Sequence, residues 1–433
     1  MKPTIDRREF VVQSSTAAMA GAAAIGAAAA AAPSLARGAA PASDPIRVGV
    51  MGLGRGSALA SALASIPDAE VAYLCDVDSR RLAAGIERIG GKQARKPQGV
   101  GDFRKILDDK SIDALVIAAP DHWHAPATIL ACSAGKHVYV EKPCSHNPRE
   151  GELAIAAARK HNRIVQVGTQ RRSWPAIMEA IEKVRGGEIG RVLYARCWYA
   201  DHRPSIGKGK PAPVPEWIDY SLWQGPAPER PYKDNYLHYF WHNYWHWGTG
   251  ELGNNGVHAI DMCRWGLAVD YPTRVVSGGG KYRYDDDQQT PDTHTVTFEF
   301  GDKAIFWEGL SWSPRGMEGE KFGATFHGER GTIVVTGSGY VAYDLMNKET
   351  GKATVKAGDD VHLLNFLTSI RQNHPPHADI AEGHKSTLLC HLGNIAHRTG
   401  RALRCDPQNG HILNDDEAMR FWSREYRAGW EPT

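Results

Sequence analysis

Residues 46–78 read IRVGVMGLGRGSALASALASIPDAEVAYLCDVD. A β-branched run (Ile46, Val48, Val50) meets a glycine cluster, an alanine-rich helical segment follows to about residue 65, and a second strand at 71–75 ends on Asp76. Strand, glycine turn, helix, strand and acid follow one another in the order of a dinucleotide-binding βαβ unit. Gly52 allows the tight turn. Gly54 lets the backbone approach a pyrophosphate, which then sits on a helix N-terminus whose amide N–H groups lack partners. The third small position falls on Ser57 with Gly56 beside it, so the fingerprint is slightly irregular. Asp76, 24 residues after Gly52, stands where a carboxylate accepts from the adenosine ribose hydroxyls. That charge repels a 2′-phosphate and favours NAD. Arg80 and Arg81 follow closely and keep NADP open.

The same rhythm continues. Residues 113–119 (DALVIAA) are a mostly apolar strand of the kind buried on both faces of a parallel sheet. Pro120-Asp121-His122-Trp123-His124 follows, then a helix to about residue 134 and a strand at 137–140 that ends in Glu141-Lys142-Pro143. Pro148 opens a further helix to about residue 161, and 163–168 is a strand again. Chemistry in such sheets gathers at the carboxyl ends of the strands. The glycine turn, Asp76, Pro120, His124 and Glu141 all fall at such ends, which makes them the candidate cofactor-binding set. The expected fold class is α/β, with a doubly wound parallel Rossmann sheet over 43–168.

The length, 433 residues, fits two domains, and 42% apolar with 23% charged residues describes neither a disordered polymer nor a multi-span membrane protein. The net charge of +2 comes from the first 37 residues, which hold four cations against two anions. The balanced remainder favours neither nucleic acid nor an anionic membrane as partner. Seven cysteines stand singly with no CxxC, which argues against structural zinc and against a disulfide scaffold. Arg7-Arg8-Glu9-Phe10, the alanine-dominated run 17–32 and the small-residue sites around 33–42 read as a twin-arginine export signal with its linker over 1–42. The expected location is the periplasm, and the export machinery is an expected partner.

The Rossmann start, PDHWH, the Glu-Lys-Pro after a strand and, downstream, GELGNNGVHAIDMCRW together resemble the glucose–fructose oxidoreductase / inositol dehydrogenase / rhizopine-catabolism (Gfo/Idh/MocA) family over roughly residues 46–397. The resemblance implies a second, α+β domain over 169–400 with an open, mostly antiparallel sheet whose face serves a homo-oligomer. It implies a sugar or cyclitol bound between the domains, and catalysis by Lys142 and His258. Family members commonly carry an aspartate four residues before that histidine; here the position is Asn254. An amide orients a hydroxyl but accepts no proton at neutral pH, so the base role falls more heavily on His258. On a helix over 257–267, Asp261 shares a face with His258 and either fixes its imidazole or pairs with Arg264.

Residues 236–247 read YLHYFWHNYWHW. A helix there would stack His238, His242 and His246 on one face, yet no carboxylate or cysteine lies in register, so no metal is expected. Flat rings suit the C–H faces of a sugar, and Trp123, Tyr236 and His242 join Asp261 as candidate substrate contacts; a packed core helix is the rival. Strand-like alternation follows at 274–276, 293–300, 304–310, 322–326 and 332–335, with Asp285-Asp286-Asp287 as a solvated turn. Helices over 361–372 and 383–399 close the domain, and a C-terminal extension, 401–433, wraps back over the surface.

Oxidising a secondary alcohol requires a hydride acceptor, a base and a donor for the developing charge. An exported enzyme meets no free NAD pool. Its cofactor therefore binds tightly during cytoplasmic folding and is recycled in place. The first reading is a sugar oxidoreductase with retained NAD. The alternatives are an NAD-dependent glycoside hydrolase that oxidises, eliminates, hydrates and reduces, and a non-catalytic sugar-binding protein.

Overall fold

Val48 and Val50 of β1 (Ile46–Met51) are fully buried, as a strand covered on both faces must be. In the computed structural model, which describes residues 44–432, β1 pairs in parallel with β2 (Ala69–Cys75) and β4 (Ala114–Ile117). β3 (Gln98–Val100) extends the sheet beyond β2, and β5 (His137–Val140) and β6 (Val165–Val167) extend it beyond β4. All six strands are parallel in the order β3-β2-β1-β4-β5-β6, so strand order reverses between β1 and β4 and opens a crevice at their carboxyl ends. One face packs under the helices Asp121–Ser133 and Pro148–Lys160. The other is covered by Gly56–Leu63 and Ser79–Gly90. The export signal expected over 1–42 lies outside the described residues.

The second sheet has nine strands: β7 (Val192–Ala200), β8 (Arg274–Gly280), β9 (Thr293–Glu299), β10 (Ala304–Leu310), β11 (Phe322–Gly328), β12 (Gly331–Thr336), β13 (Gly339–Asp344), β14 (Glu349–Thr354) and β15 (Leu403–Arg404). Their order is β14-β13-β12-β11-β7-β10-β9-β8-β15; only β7 and β10 run parallel. β9 and β10 alternate strictly between buried and half-buried residues. Val296, Phe298, Ile305 and Trp307 form the buried side with the helices Val257–Leu267 and Ile380–Thr399. The fold is thus a parallel Rossmann sheet joined to a mostly antiparallel one. The strands β7, β13, β14 and β15 lie outside the sequence expectations; β14 (ETGKAT) is a charged edge without apolar alternation.

Three expectations need correction. Residues 236–247 are not one helix but a loop with a single 3-10 turn, Phe240–Asn243. Seven rings in twelve residues are too apolar for one narrow histidine face to solvate as a surface helix. The loop instead turns Tyr236, Tyr244 and Trp247 inward around Trp223 as a separate aromatic core. The acidic turn is only partly solvated: Asp285 is exposed, but its neighbour is stapled inward. Asp286 is buried, pairs with Lys281 at 2.9 Å and accepts from the Ser205 hydroxyl at 2.7 Å and the Ile206 amide at 3.0 Å. The helix Asp359–Gln372 buries Leu363, Phe366 and Leu367 on the Rossmann face, against Leu59, Leu63 and Tyr139.

Asp261 meets neither His258 nor Arg264. It accepts from Arg172 (Nε at 2.8 Å, Nη2 at 2.9 Å) and from the Ser386 hydroxyl at 2.6 Å, and both members of the ion pair are buried. Arg264 turns instead to Asp270 and Glu382. The Arg172–Asp261 pair ties the chain that leaves β6 to the helix Val257–Leu267. Breaking a buried pair leaves a desolvated charge. Arg172→Met is expected to lower stability by about 3–5 kcal/mol in urea unfolding, with Arg172→Met/Asp261→Leu recovering part of that loss.

Candidate functional site

The carboxyl ends of the parallel strands and the start of the helix Val257–Leu267 enclose a cleft of about 520 Å³. At its nucleotide end, Gly52 has φ +87°, and a Cβ there would lie 2.6 Å from the Ala118 carbonyl oxygen. Gly54 lines the cleft with no backbone in its way. The helix that follows has no side-chain cap, which leaves its N-terminal amides for an anion. Asp76 accepts from the Leu53 amide at 2.6 Å and the Asp78 amide at 2.8 Å, and burial raises its pKa. Each carboxylate oxygen keeps a lone pair for a hydroxyl. An open glycine cradle, an uncapped helix start and a fixed carboxylate fit a dinucleotide. Gly56 and Ser57 do not line the cleft. Gly56 packs the helix start against Val50 and Ala118, the role read onto position 57, and Ser57 accepts from Arg88.

Of the two arginines heading the helix Ser79–Gly90, Arg80 pairs with Asp78 and stacks on Trp217 at 3.5 Å, whereas Arg81 lines the cleft beside Gly54. Pro120 caps the helix Asp121–Ser133 and lines the cleft. The two ring nitrogens of His124 lie 2.6 Å from the Pro143 carbonyl and 2.7 Å from the Ala119 carbonyl, so His124 shapes the wall rather than reaching a ligand. Glu141 Oε1 accepts from Arg55 Nε at 3.0 Å and from Gln170 at 3.3 Å; its charge is spent on positioning Arg55, whose other end holds Asp359.

Lys142, Asn254 and His258 converge in this cleft. Lys142 Nζ crosses between the domains to donate to the Asn254 carbonyl at 2.7 Å and to its Oδ1 at 3.2 Å. Asn254 lies on a π-helical turn, Leu252–Gly256, that runs straight into the helix carrying His258. Its Nδ2 donates to Glu251 at 3.4 Å, and Glu251 accepts from Arg203 at 3.1 Å. The amide is therefore oriented from both ends. Burial lowers the pKa of Lys142 against the pull of Glu141, Asp121 and Glu251. Burial, with Lys142 and Arg171 beside it, pushes His258 well below the ordinary imidazole value, and its buried Nδ1 has no partner. A neutral imidazole and a poised ammonium are the proton acceptor and donor that alcohol oxidation needs.

Trp123 and His242 line the cleft, His242 stacked on Trp241 at 3.5 Å and its pKa brought to about 3 by burial. Tyr236 and Asp261 do not reach it, being held in the aromatic core and the Arg172 pair. His238, His242 and His246 part company: His238 meets Asp78, His242 the Tyr239 carbonyl and His246 the Pro228 carbonyl. Arg55, Gln170, Arg171, Trp174 and Tyr239 line the cleft without having been expected there. Arg55 lies inside the glycine turn. Gln170 and Arg171 follow the carboxyl end of β6, the same rule that found Lys142 after β5.

A model of an oxidoreductase family's NAD-binding Rossmann fold matches residues 46–169, and one of an oxidoreductase family's C-terminal alpha/beta domain matches residues 205–432. Levoglucosan dehydrogenase of Pseudarthrobacter phenanthrenivorans is 31% identical over 169 residues, 38% of this chain and 35% of that protein. Myo-inositol 2-dehydrogenase of Thermotoga maritima is 31% identical over 160 residues, 37% and 46% of the two chains. A glycosyl hydrolase family 109 protein of Shewanella pealeana is 27% identical over 210 residues, 45% and 46%. The chain thus spans less than half the length of each of these relatives. Among solved structures, levoglucosan dehydrogenase in complex with NADH and L-sorbose superposes with a TM-score of 0.66 at 19% identity, covering 84% of this chain and 99% of that one. Aldose-aldose oxidoreductase from Caulobacter crescentus gives 0.65 at 18%, covering 83% and 99%. At these identities the likeness is one of fold.

Gly52→Ala is expected to lower the nucleotide released per chain on denaturation by at least about tenfold, since a methyl group at positive φ carries roughly 1–3 kcal/mol of strain beside the Ala118 carbonyl.

Proposed function

The chain belongs to the Gfo/Idh/MocA oxidoreductase family, and from that premise we propose that it is an NAD-dependent oxidoreductase acting on a secondary hydroxyl of a sugar or cyclitol. The observation that carries the reading is the convergence of Lys142, Asn254 and His258 at the end of a cleft whose other end is the Gly52–Asp76 cradle. Gly54, the amides heading the helix Gly56–Leu63 and Asp76 would hold the dinucleotide, which supplies a hydride acceptor when bound. His258, neutral at pH 7, takes the hydroxyl proton. Lys142 Nζ donates to the same substrate oxygen as charge develops on it. Asn254, clamped between Lys142 and Glu251, orients the hydroxyl without taking its proton. Trp123, Trp241 and His242 offer flat faces to the ring and exclude water.

The proposal includes export through the twin-arginine route to the periplasm, supported by Arg7-Arg8 and the alanine-rich run that follows. It includes a cofactor bound before export and recycled by returning the hydride to the same or a second sugar. NAD is favoured by Asp76; Arg81 at the cleft keeps NADP within reach. The open face of the nine-stranded sheet is the surface proposed for a homo-oligomer. Similarity to a glycosyl hydrolase family 109 protein supports the second reading, transient oxidation followed by elimination of an aglycone, which release of nitrophenol from a nitrophenyl glycoside without added NAD would detect.

Denaturing the purified protein is expected to release about one nicotinamide dinucleotide per chain; protein that is empty, and indifferent to added dinucleotides, overturns the reading. Lys142→Ala and His258→Ala should each lower turnover by about 10²-fold or more with nucleotide content retained; loss of nucleotide in both would remove them from the chemistry. Because His258 stays neutral well below pH 6.5, the acid limb of kcat/KM should fall below that value, and Lys142 should set an alkaline limb below 10.5.

A further inference from the structure

Two consecutive arginines follow β6 on the 3-10 turn Gln170–Ser173, and their surroundings differ sharply. Arg172 is buried in its pair with Asp261. Arg171 lines the catalytic cleft, its guanidinium carbon 4.9 Å from the ring centre of Trp174 and 4.2 Å from that of Phe322 on β11. Its Nε is buried with no hydrogen-bond partner, and among the described residues no carboxylate pairs with its head. Burial alone acts on its pKa, drawing it down to about 10, so the guanidinium remains charged at neutral pH.

The other cationic groups of the cleft are accommodated. Arg55 holds Glu141 and Asp359, Arg81 lies 4.0 Å from Asp78, and Lys142 donates to Asn254. A half-buried guanidinium without a counter-ion, facing an open cleft, is a ready partner for a ligand that brings the missing charge. Arg171 also acts on His258 electrostatically and rests on the second sheet through Phe322, which puts it at the catalytic end of the cleft rather than at the glycine turn. Two aromatic contacts hold the plane of the guanidinium, the arrangement that suits bidentate recognition of a planar carboxylate.

We propose that Arg171 is a specificity-determining residue that binds a carboxylate on the substrate, so that the sugar or cyclitol this protein acts on is an acid of the uronate class. The inference rests on the function proposed above and narrows its substrate. A single guanidinium matches one carboxylate; a phosphate dianion calls for more positive charge than this end of the cleft presents.

Calorimetric titration of the full-length purified protein with D-glucuronate, D-glucose and glucose 6-phosphate tests it. Glucuronate should bind roughly tenfold or more tightly than glucose and more tightly than the phosphate. In Arg171→Gln the ratio of glucuronate to glucose affinity should fall towards one, and Arg171→Lys should restore part of it. Equal binding of glucuronate and glucose by the unaltered protein overturns the proposal, and so does a preference for the phosphate. Loss of bound nucleotide in Arg171→Gln would overturn it too, by assigning the residue to the dinucleotide. Nicotinamide absorbance during the titration reads the oxidoreductase function separately. Glucuronate binding that never changes it would sink hydride transfer while leaving the carboxylate site standing.

Discussion

A buried lysine needs a reason to be where it is, and Lys142 finds it across the domain boundary. Its Nζ leaves the carboxyl end of β5 and reaches the carbonyl and side-chain oxygen of Asn254 on the π-helical turn ahead of His258. The ammonium is desolvated, so it demands those acceptors, and the acceptors are where they are because the turn widens at that point. One short contact therefore sets the distance between the nucleotide cradle and the catalytic histidine. Glu251 and Arg203 carry the constraint outwards, and the Arg172–Asp261 pair anchors the helix that carries His258 to the chain leaving β6.

The replacement of a carboxylate by Asn254 changes the electrostatics of that contact. An aspartate would give Lys142 a full counter-charge at hydrogen-bond distance; an amide gives it only dipoles, and leaves Glu141, Asp121 and Glu251 to act from further off. Burial holds the lysine below its ordinary pKa against the pull of those carboxylates, and burial with the cations Lys142 and Arg171 beside it holds the histidine below its own. The cleft therefore favours proton acceptance by a neutral ring and charge donation by an ammonium that gives up its proton more readily than one in water.

Much of this was legible from residue order, because the Rossmann half is built from local signals. The strand at 137–140 and the helix at 257–267 fall at the expected bounds, and the glycine turn and Asp76 stand at one end of the cleft. Local patterns could not reveal which partner a charged group would choose from afar. Asp261 prefers Arg172, 89 residues away, to either neighbour on its own helix, and Arg55 is claimed by Asp359, 304 residues away. Residues 236–247 differ for another reason: a spacing of four between histidines suggests a helix, but burying Tyr236, Trp241, Tyr244 and Trp247 outweighs it. Arg171 stands just beyond the carboxyl end of β6, beside an arginine of identical chemistry that turns inward, so residue order alone does not single it out.

The helix Asp359–Gln372 gives the molecule an unusual wiring. The nucleotide-binding half ends its own stretch of chain near residue 169, yet part of one of its faces is covered only by Leu363, Phe366 and Leu367, which follow the last long strand of the second sheet. Such late, distant closure raises contact order and slows assembly. It also means that the two halves cannot be traded like cassettes: a chimera spliced after residue 169 would inherit a sheet missing one of its covering helices and an Arg55 stripped of the aspartate that steadies it.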